Sequence, residues 1–195
     1  MFYNYTTGVH PKGLFKSCVI PRPIAWISSI SKDSITNLAP FSYFQAICDN
    51  PPMIMFVASP KNEEKAVKDT VTNIEDTKEF VVNLVTENTK DLMILSSQIL
   101  PYGESEIERF KIPTKKSHIV TPPSIAISPI NMECCYVKTI NIENNKMIIG
   151  KILGISVDQS VMENEKIDVK KLGVFCRLGY NEYAVIERVI QLSKT

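Results

Sequence analysis

The chain has 195 residues, 44% of them hydrophobic and 22% charged, with a formal net charge of +1. That length favours one domain spanning 1–195, with core enough to fold without a metal or a disulfide staple. A charge this close to zero excludes a global field aimed at nucleic acid or an anionic membrane, so any anion must be caught by a local cluster.

Five cysteines, Cys18, Cys48, Cys134, Cys135 and Cys176, form an odd count without repeating spacing, which argues against a disulfide framework. The N-terminal "MFYNYTTGVHPKG" lacks the apolar stretch of a signal peptide. The apolar run from Met53 to Ala58 is far too short to span a bilayer. The expectation is a reduced, soluble, cytoplasmic protein.

The elements in chain order begin with an irregular lead-in to Phe15. A strand follows over Ile24–Ile30, closed by the turn "SKDS", then an extended segment over Phe41–Cys48. Met53–Ala58 reads as a strand buried on both sides. Ala66, Val67, Val71 and Ile74 recur at helical spacing and predict a helix over Glu63–Ile74. Glu79–Val85 reads as a strand, and "NTKDLMILSSQI" as a second helix with Asn88 as its N-cap. "SEIERF" predicts a short helical turn, and 111–123 a loop.

The last third is β. Met132–Ile142 and Lys146–Val157 predict a hairpin, with Asn144 and Asn145 supplying the positive φ of its turn. Met147, Ile149, Leu153, Ile155 and Val157 fall on one face, and Gly150 and Gly154 on the other, where a partner backbone comes close. Val174–Arg177 and Tyr183–Ile186 add short strands. Many strands interrupted by two helices suit a small antiparallel barrel with helical excursions better than a parallel α/β sheet.

No glycine-rich dinucleotide fingerprint, phosphate loop or nucleophile elbow is present. His10 and His118 lie far apart and lack ligand-spaced partners, so no metal is expected. Cys18 and Cys48 have no histidine nearby in sequence to activate them. No catalytic side chain is assigned, and a bound cofactor is expected to carry any chemistry.

Four polar clusters fit a core reading poorly. Arg22 stands between Pro21 and Pro23; Asn37 opens "NLAPFSYF", which contains Ser42; Ser59 ends the buried run; and Lys68 and Thr70 lie in "AVKDTVTNI". Singly, each has an ordinary explanation: a surface charge, a turn cap, a strand end, a solvated helix face. Together they hold two cations and several hydroxyls, the groups that bind a phosphate dianion.

"PRPIAWISSISKDSITNLAPFSYFQAICDNPPMIMFVAS" followed by "KDTVTNIEDTKEFVVNLV" resembles the flavin reductase-like FMN-binding proteins of the split-barrel fold, which include flavoredoxin. "SEIERFKI", "TPPSIAISPINMECCYV", "IIGKILGISV" and "RLGYNEY" match the family's later landmarks in order, so the resemblance covers nearly the whole chain. It implies a six-stranded antiparallel, Greek-key-like split β-barrel with helical excursions. It also implies a homodimer with FMN near the interface and NADH or NADPH as electron donor. Carried over residue by residue, Arg22 and Trp26 would lie beside the flavin. Asn37, Leu38 and Ala39 would line the isoalloxazine, partly through backbone groups, Ser42 would sit near the ribityl-phosphate region, and Ser59, Lys68 and Thr70 would hold the phosphate.

Two departures stand out. Tyr180 occupies the second glycine of the family's R-L-G-G, and Lys151 replaces an acid in "GKI". A tyrosine there would narrow the cavity above the flavin or reshape a dimer contact. The implied function is hydride transfer from a nicotinamide to flavin N5 and on to a second acceptor. The alternatives are an FMN electron carrier working with a redox protein partner, and a split-barrel interaction module without a cofactor.

Overall fold

The computed structural model describes residues 1–60, 67–101 and 103–192. A short helix α1 (Leu14–Cys18) precedes strands β1 (Arg22–Pro23), β2 (Ala25–Ile30), β3 (Thr36–Phe41), β4 (Phe44–Asp49) and β5 (Pro52–Ala58). Then come α2 (Asp69–Thr77), β6 (Glu79–Leu84), α3 (Lys90–Leu95) and α4 (Glu106–Arg109). Short β7 (Thr114–Lys115) and β8 (Ser124–Ile125) lead into the long β9 (Ile130–Ile142) and β10 (Asn145–Val157). The chain ends with β11 (Met162–Glu163), β12 (Lys166–Ile167), α5 (Val169–Leu172), β13 (Phe175–Arg177) and β14 (Tyr183–Val185).

The main sheet has seven strands in the order β3-β2-β6-β9-β10-β5-β4, and a three-stranded sheet runs β1-β13-β14. The strand pairings described in both sheets are all antiparallel. The two edges of the main sheet are consecutive in sequence, since only Ser42 and Tyr43 separate β3 from β4. Three peptide steps span at most about 11 Å. The sheet must therefore curl until its edges nearly meet, giving a barrel open along one seam. The β4–β5 ladder continues one rung into the crossing, where the Val57 N–H donates to the Tyr43 carbonyl at 2.8 Å.

Phe41, Phe56 and Phe80 fill the barrel with Ile74 and Ile148, the ring centroids lying 4.8 and 5.8 Å apart. Each such fully buried side chain contributes roughly 1.5–3 kcal/mol. A second cluster, with Trp26, Leu38, Met93, Ile107 and Ile125, joins the barrel to α3 and α4. The long connection to β9 is pinned by Glu133, whose carboxylate accepts from the backbone N–H groups of His118, Ile119 and Val120 at 2.8, 2.6 and 3.1 Å. Burial opposes ionisation of Glu133, yet these three donors bring its pKa below the ordinary carboxylate value.

Several expectations are corrected. The sheet has seven strands rather than six. The Phe41–Cys48 segment is two strands' worth of chain bent at Ser42–Tyr43, and β3 before it carries a proline, Pro40. A proline is tolerated there because β3 is a sheet edge. β5 is fully buried on one face only, through Ile54, Phe56 and Ala58. The helix expected from Glu63 begins at Asp69, because Lys68 is extended; residues 63–66 lie outside the described residues. Thr86, not Asn88, starts the next helical segment, in a reciprocal capping box with Thr89. In the β9–β10 turn the positive φ falls on Glu143.

Two irregularities in the β9–β10 register, at Ile149/Gly150 and Ile152/Gly154, break the expected alternation. Leu153 and Ile155 are exposed in consequence. The close approach at Gly150 comes from the Phe80 ring rather than a backbone, since an added Cβ would fall on that ring.

Candidate functional site

A cavity of about 360 Å³ opens where the seam of the barrel meets the small sheet. Ser42 and Tyr43 come from the β3–β4 crossing, Ser59 from the end of β5, and Lys68 from the N-terminal edge of α2. Ser97 follows α3, and Arg177 and Tyr183 come from β13 and β14. Among its described lining residues are four cations, Lys16, Arg22, Lys68 and Arg177, and no carboxylate.

Arg22 and Arg177 are direct partners across the β1–β13 ladder. Side chains so paired share a face with Cβ atoms about 4.5–5.5 Å apart, and like charges in that position repel. Both line the cavity. Part of the repulsion is relieved locally. Arg22 is 6% exposed, and its Nη1 donates to the carbonyls of Lys16 at 2.5 Å and Val19 at 2.6 Å. Its Nη2 donates to the Leu178 carbonyl at 2.8 Å, while its Nε is buried without a partner. Arg177 lies over the Tyr183 ring at 4.4 Å and donates to the Tyr180 carbonyl. Phe41, with Lys68 Nζ 5.6 Å from its centroid, and Tyr43, with Arg22 6.0 Å away, add aromatic wall.

A smaller cavity of about 60 Å³ adjoins the first, sharing Pro40, Lys68 and Ser97 with it. Asn37, Ala39, Thr70 and Glu106 line it. Here the polar groups are spent on one another. The Asn37 amide Nδ2 donates to Glu106 Oε1 and Oε2 at 3.1 and 2.9 Å, and the Leu38 N–H donates to Oε2 at 2.9 Å. The Thr70 hydroxyl donates to Asn37 Oδ1 at 2.6 Å. Burial raises the Glu106 pKa above the usual carboxylate value, against the lowering effect of these bonds and with a further push from Asp69.

The structure thus brings Arg22, Ser42, Ser59 and Lys68 around the large cavity, and Asn37, Ala39, Lys68 and Thr70 around the small one. Trp26 and Leu38 face neither. Both are fully buried in the second core cluster, and Trp26 Nε1 donates to Ser96 Oγ at 2.8 Å behind the small cavity. Leu38 points away from its neighbours Asn37 and Ala39 because strand side chains alternate. Sequence reasoning missed Lys16, Tyr43, Ser97, Glu106, Arg177 and Tyr183. Arg177 and Tyr183 frame the quoted "RLGYNEY", but their convergence with Arg22 depends on a strand pairing 155 residues apart in sequence. Among the described residues, no group of three His, Cys, Asp or Glu side chains is placed to hold a metal.

A concave site with aromatic walls and four cations suits a planar ligand that carries an anionic group. Residues 17–182 match the family model of the flavin reductase like domain, and the chain belongs to that family. A protein of Aquifex aeolicus without an assigned function is 37% identical over 166 residues, covering 85% of this chain and 84% of that protein. Nitrilotriacetate monooxygenase component B from Bacillus cereus superposes with a TM-score of 0.91 at 28% identity, over 98% of both chains. The 2-nitrobenzoate 2-nitroreductase NbaA of Pseudomonas fluorescens superposes at 0.87 with 26% identity, over 100% of this chain and 96% of that one. The curled, incompletely closed sheet is the split barrel of flavin reductases.

Proposed function

We propose that this chain is an oxidoreductase that holds FMN in the large cavity and works with NADH or NADPH as donor. The observation that carries the reading is the Arg22–Arg177 pair, two like charges set side by side on a wall with Lys16 and Lys68 nearby and no carboxylate among the described lining residues. Such a cluster is stabilised by a bound anion, and a flavin nucleotide supplies one with its phosphate. The buried, unpartnered Arg22 Nε and the aromatic walls fit the same ligand.

When bound, the flavin supplies the redox chemistry: a hydride taken from the nicotinamide and electrons passed to a second acceptor. The chain's own part is to bind and orient. Lys68, Ser42 and Ser59 offer a point charge and hydroxyls for the phosphate end. Arg22 braces the site by tying α1 and the 178–180 turn to β1. The Glu106–Asn37–Thr70 network holds the β3 edge rigid beside the cavity. No side chain is required as an acid or base. A homodimer completes the proposal. Val137, Ile140, Ile142, Leu153 and Ile155 along the β9–β10 hairpin are all exposed in the single chain, apolar side chains available for a second copy to cover.

The test is flavin titration followed by fluorescence. Lys68→Glu should weaken FMN binding by about tenfold or more, by loss of a charge-assisted contact, with little effect on riboflavin, which lacks the phosphate. Equal FMN affinities in variant and wild type would remove Lys68 from the site.

A further inference from the structure

Residue 180 adopts φ +48°, in the left-handed region. Glycine enters that region freely and tyrosine does not. The turn that carries this tyrosine is held by several bonds. The Leu178 N–H donates to the Glu182 carbonyl at 3.0 Å, and the Glu182 N–H to the Gly179 carbonyl at 2.9 Å. Arg177 donates to the Tyr180 carbonyl. Gly179 sits so tightly on Ser17 that an added Cβ would overlap it.

The ring itself lies against Gly13, which has φ +85°. A Cβ on Gly13 would stand 3.0 Å from Tyr180 Cε1 and 3.1 Å from Cδ1. The absent side chain at 13 is therefore what seats the ring. Despite this clamping, Tyr180 remains 58% exposed and lines the large cavity. Local strain is being maintained for a side chain that contributes little to the core, the pattern expected where the side chain serves a site.

We propose that Tyr180 is a specificity-determining residue. Its ring, seated on Gly13, sets the aperture through which a second planar reactant reaches the bound flavin, and so favours small acceptors over large ones. This inference rests on the flavin reading above. Because the ring is braced by the 178–182 turn and by α1, it acts as a fixed wall rather than a swinging lid.

The experiment compares wild type, Tyr180→Gly, Gly13→Ala and the double variant, each loaded with FMN. Loading is established first by titration. Two quantities are then read: acrylamide quenching of the bound flavin's fluorescence, and the ratio of kcat/KM for riboflavin to that for 1,4-benzoquinone as acceptors. Tyr180→Gly should raise the quenching constant and raise the ratio about tenfold, the scale on which pocket size discriminates. Gly13→Ala should shift both by displacing the ring, and should shift neither when Tyr180 is already glycine. That coupling separates an effect on the ring from backbone strain at residue 13. Loaded variants with quenching and ratio unchanged would overturn the proposal. So would a change in oligomer mass on removing the ring with the ratio unaltered, which would assign the ring to a subunit contact. Failure of the wild type itself to bind FMN would instead overturn the flavin reading beneath it.

Discussion

Glu106 offers the most demanding test of how the fold supports the site. Glu106 is 5% exposed, and its carboxylate is the acceptor for two buried donors, the Asn37 amide and the Leu38 backbone N–H. Glu106→Ala orphans both, at about 1–3 kcal/mol each, so the expected loss is roughly 2–5 kcal/mol, reduced by relief of the carboxylate's own desolvation. Glu106→Gln keeps an oxygen that can stand at the Oε2 position, which accepts from both the Leu38 N–H and the Asn37 amide at 2.9 Å. Its NH2 then takes the place of Oε1, the longer of the two Asn37 contacts at 3.1 Å, and sets donor against donor there, so the expected loss is about 1 kcal/mol, less than for Glu106→Ala.

The pH dependence has a definite sign. Burial raises the Glu106 pKa in the folded protein, so the folded state keeps the proton to higher pH than the unfolded chain does. Between the two values the folded state binds more protons, and stability falls as pH rises until the folded carboxyl has ionised. Glutamine does not titrate. The advantage of wild type over Glu106→Gln should therefore be larger at pH 5 than at pH 8. Urea unfolding at the two pH values, with unchanged m, measures it. Equal midpoints for wild type and Glu106→Ala, or an advantage that grows with pH, would refute the reasoning.

Other outcomes follow from particular contacts. Gly150→Ala places a Cβ on the fully buried Phe80 ring and should destabilise by about 1–3 kcal/mol through overpacking, read as a lower urea midpoint. Light scattering in dilute buffer should give a dimer mass, and Ile155→Lys on the exposed hairpin face should lower it toward the monomer; a wild-type monomer that retains flavin would contradict a shared interface.

The strands with strong apolar patterning were legible from residues alone, β2, β5, β6 and the β9–β10 hairpin among them. The β3 strand was not, because Asn37 read as a turn cap and Pro40 interrupts the run. Only the sheet order, which leaves β3 at an edge, shows why a proline is harmless there. The outward face of β10 was misread because bulges are backbone events with weak sequence signals.

At the site, Arg22, Ser42, Ser59 and Lys68 were legible as polar groups out of keeping with a core. Arg177 and Glu106 were not, since each gains its meaning from a long-range partner, Arg22 and Asn37 respectively. The side chains of Asn37 and Thr70 bond to each other and line the small cavity rather than the large one.

The central claim is that the chain binds FMN and accepts electrons from a nicotinamide. The visible spectrum of protein supplied with FMN and desalted, recorded before and after anaerobic addition of NADH and then NADPH, tests it directly. The account predicts a retained flavin band that bleaches with one of the two donors. A band that resists both yet bleaches with dithionite would contradict the nicotinamide-dependent reading and leave an electron carrier, and the absence of any band would contradict a tightly held flavin.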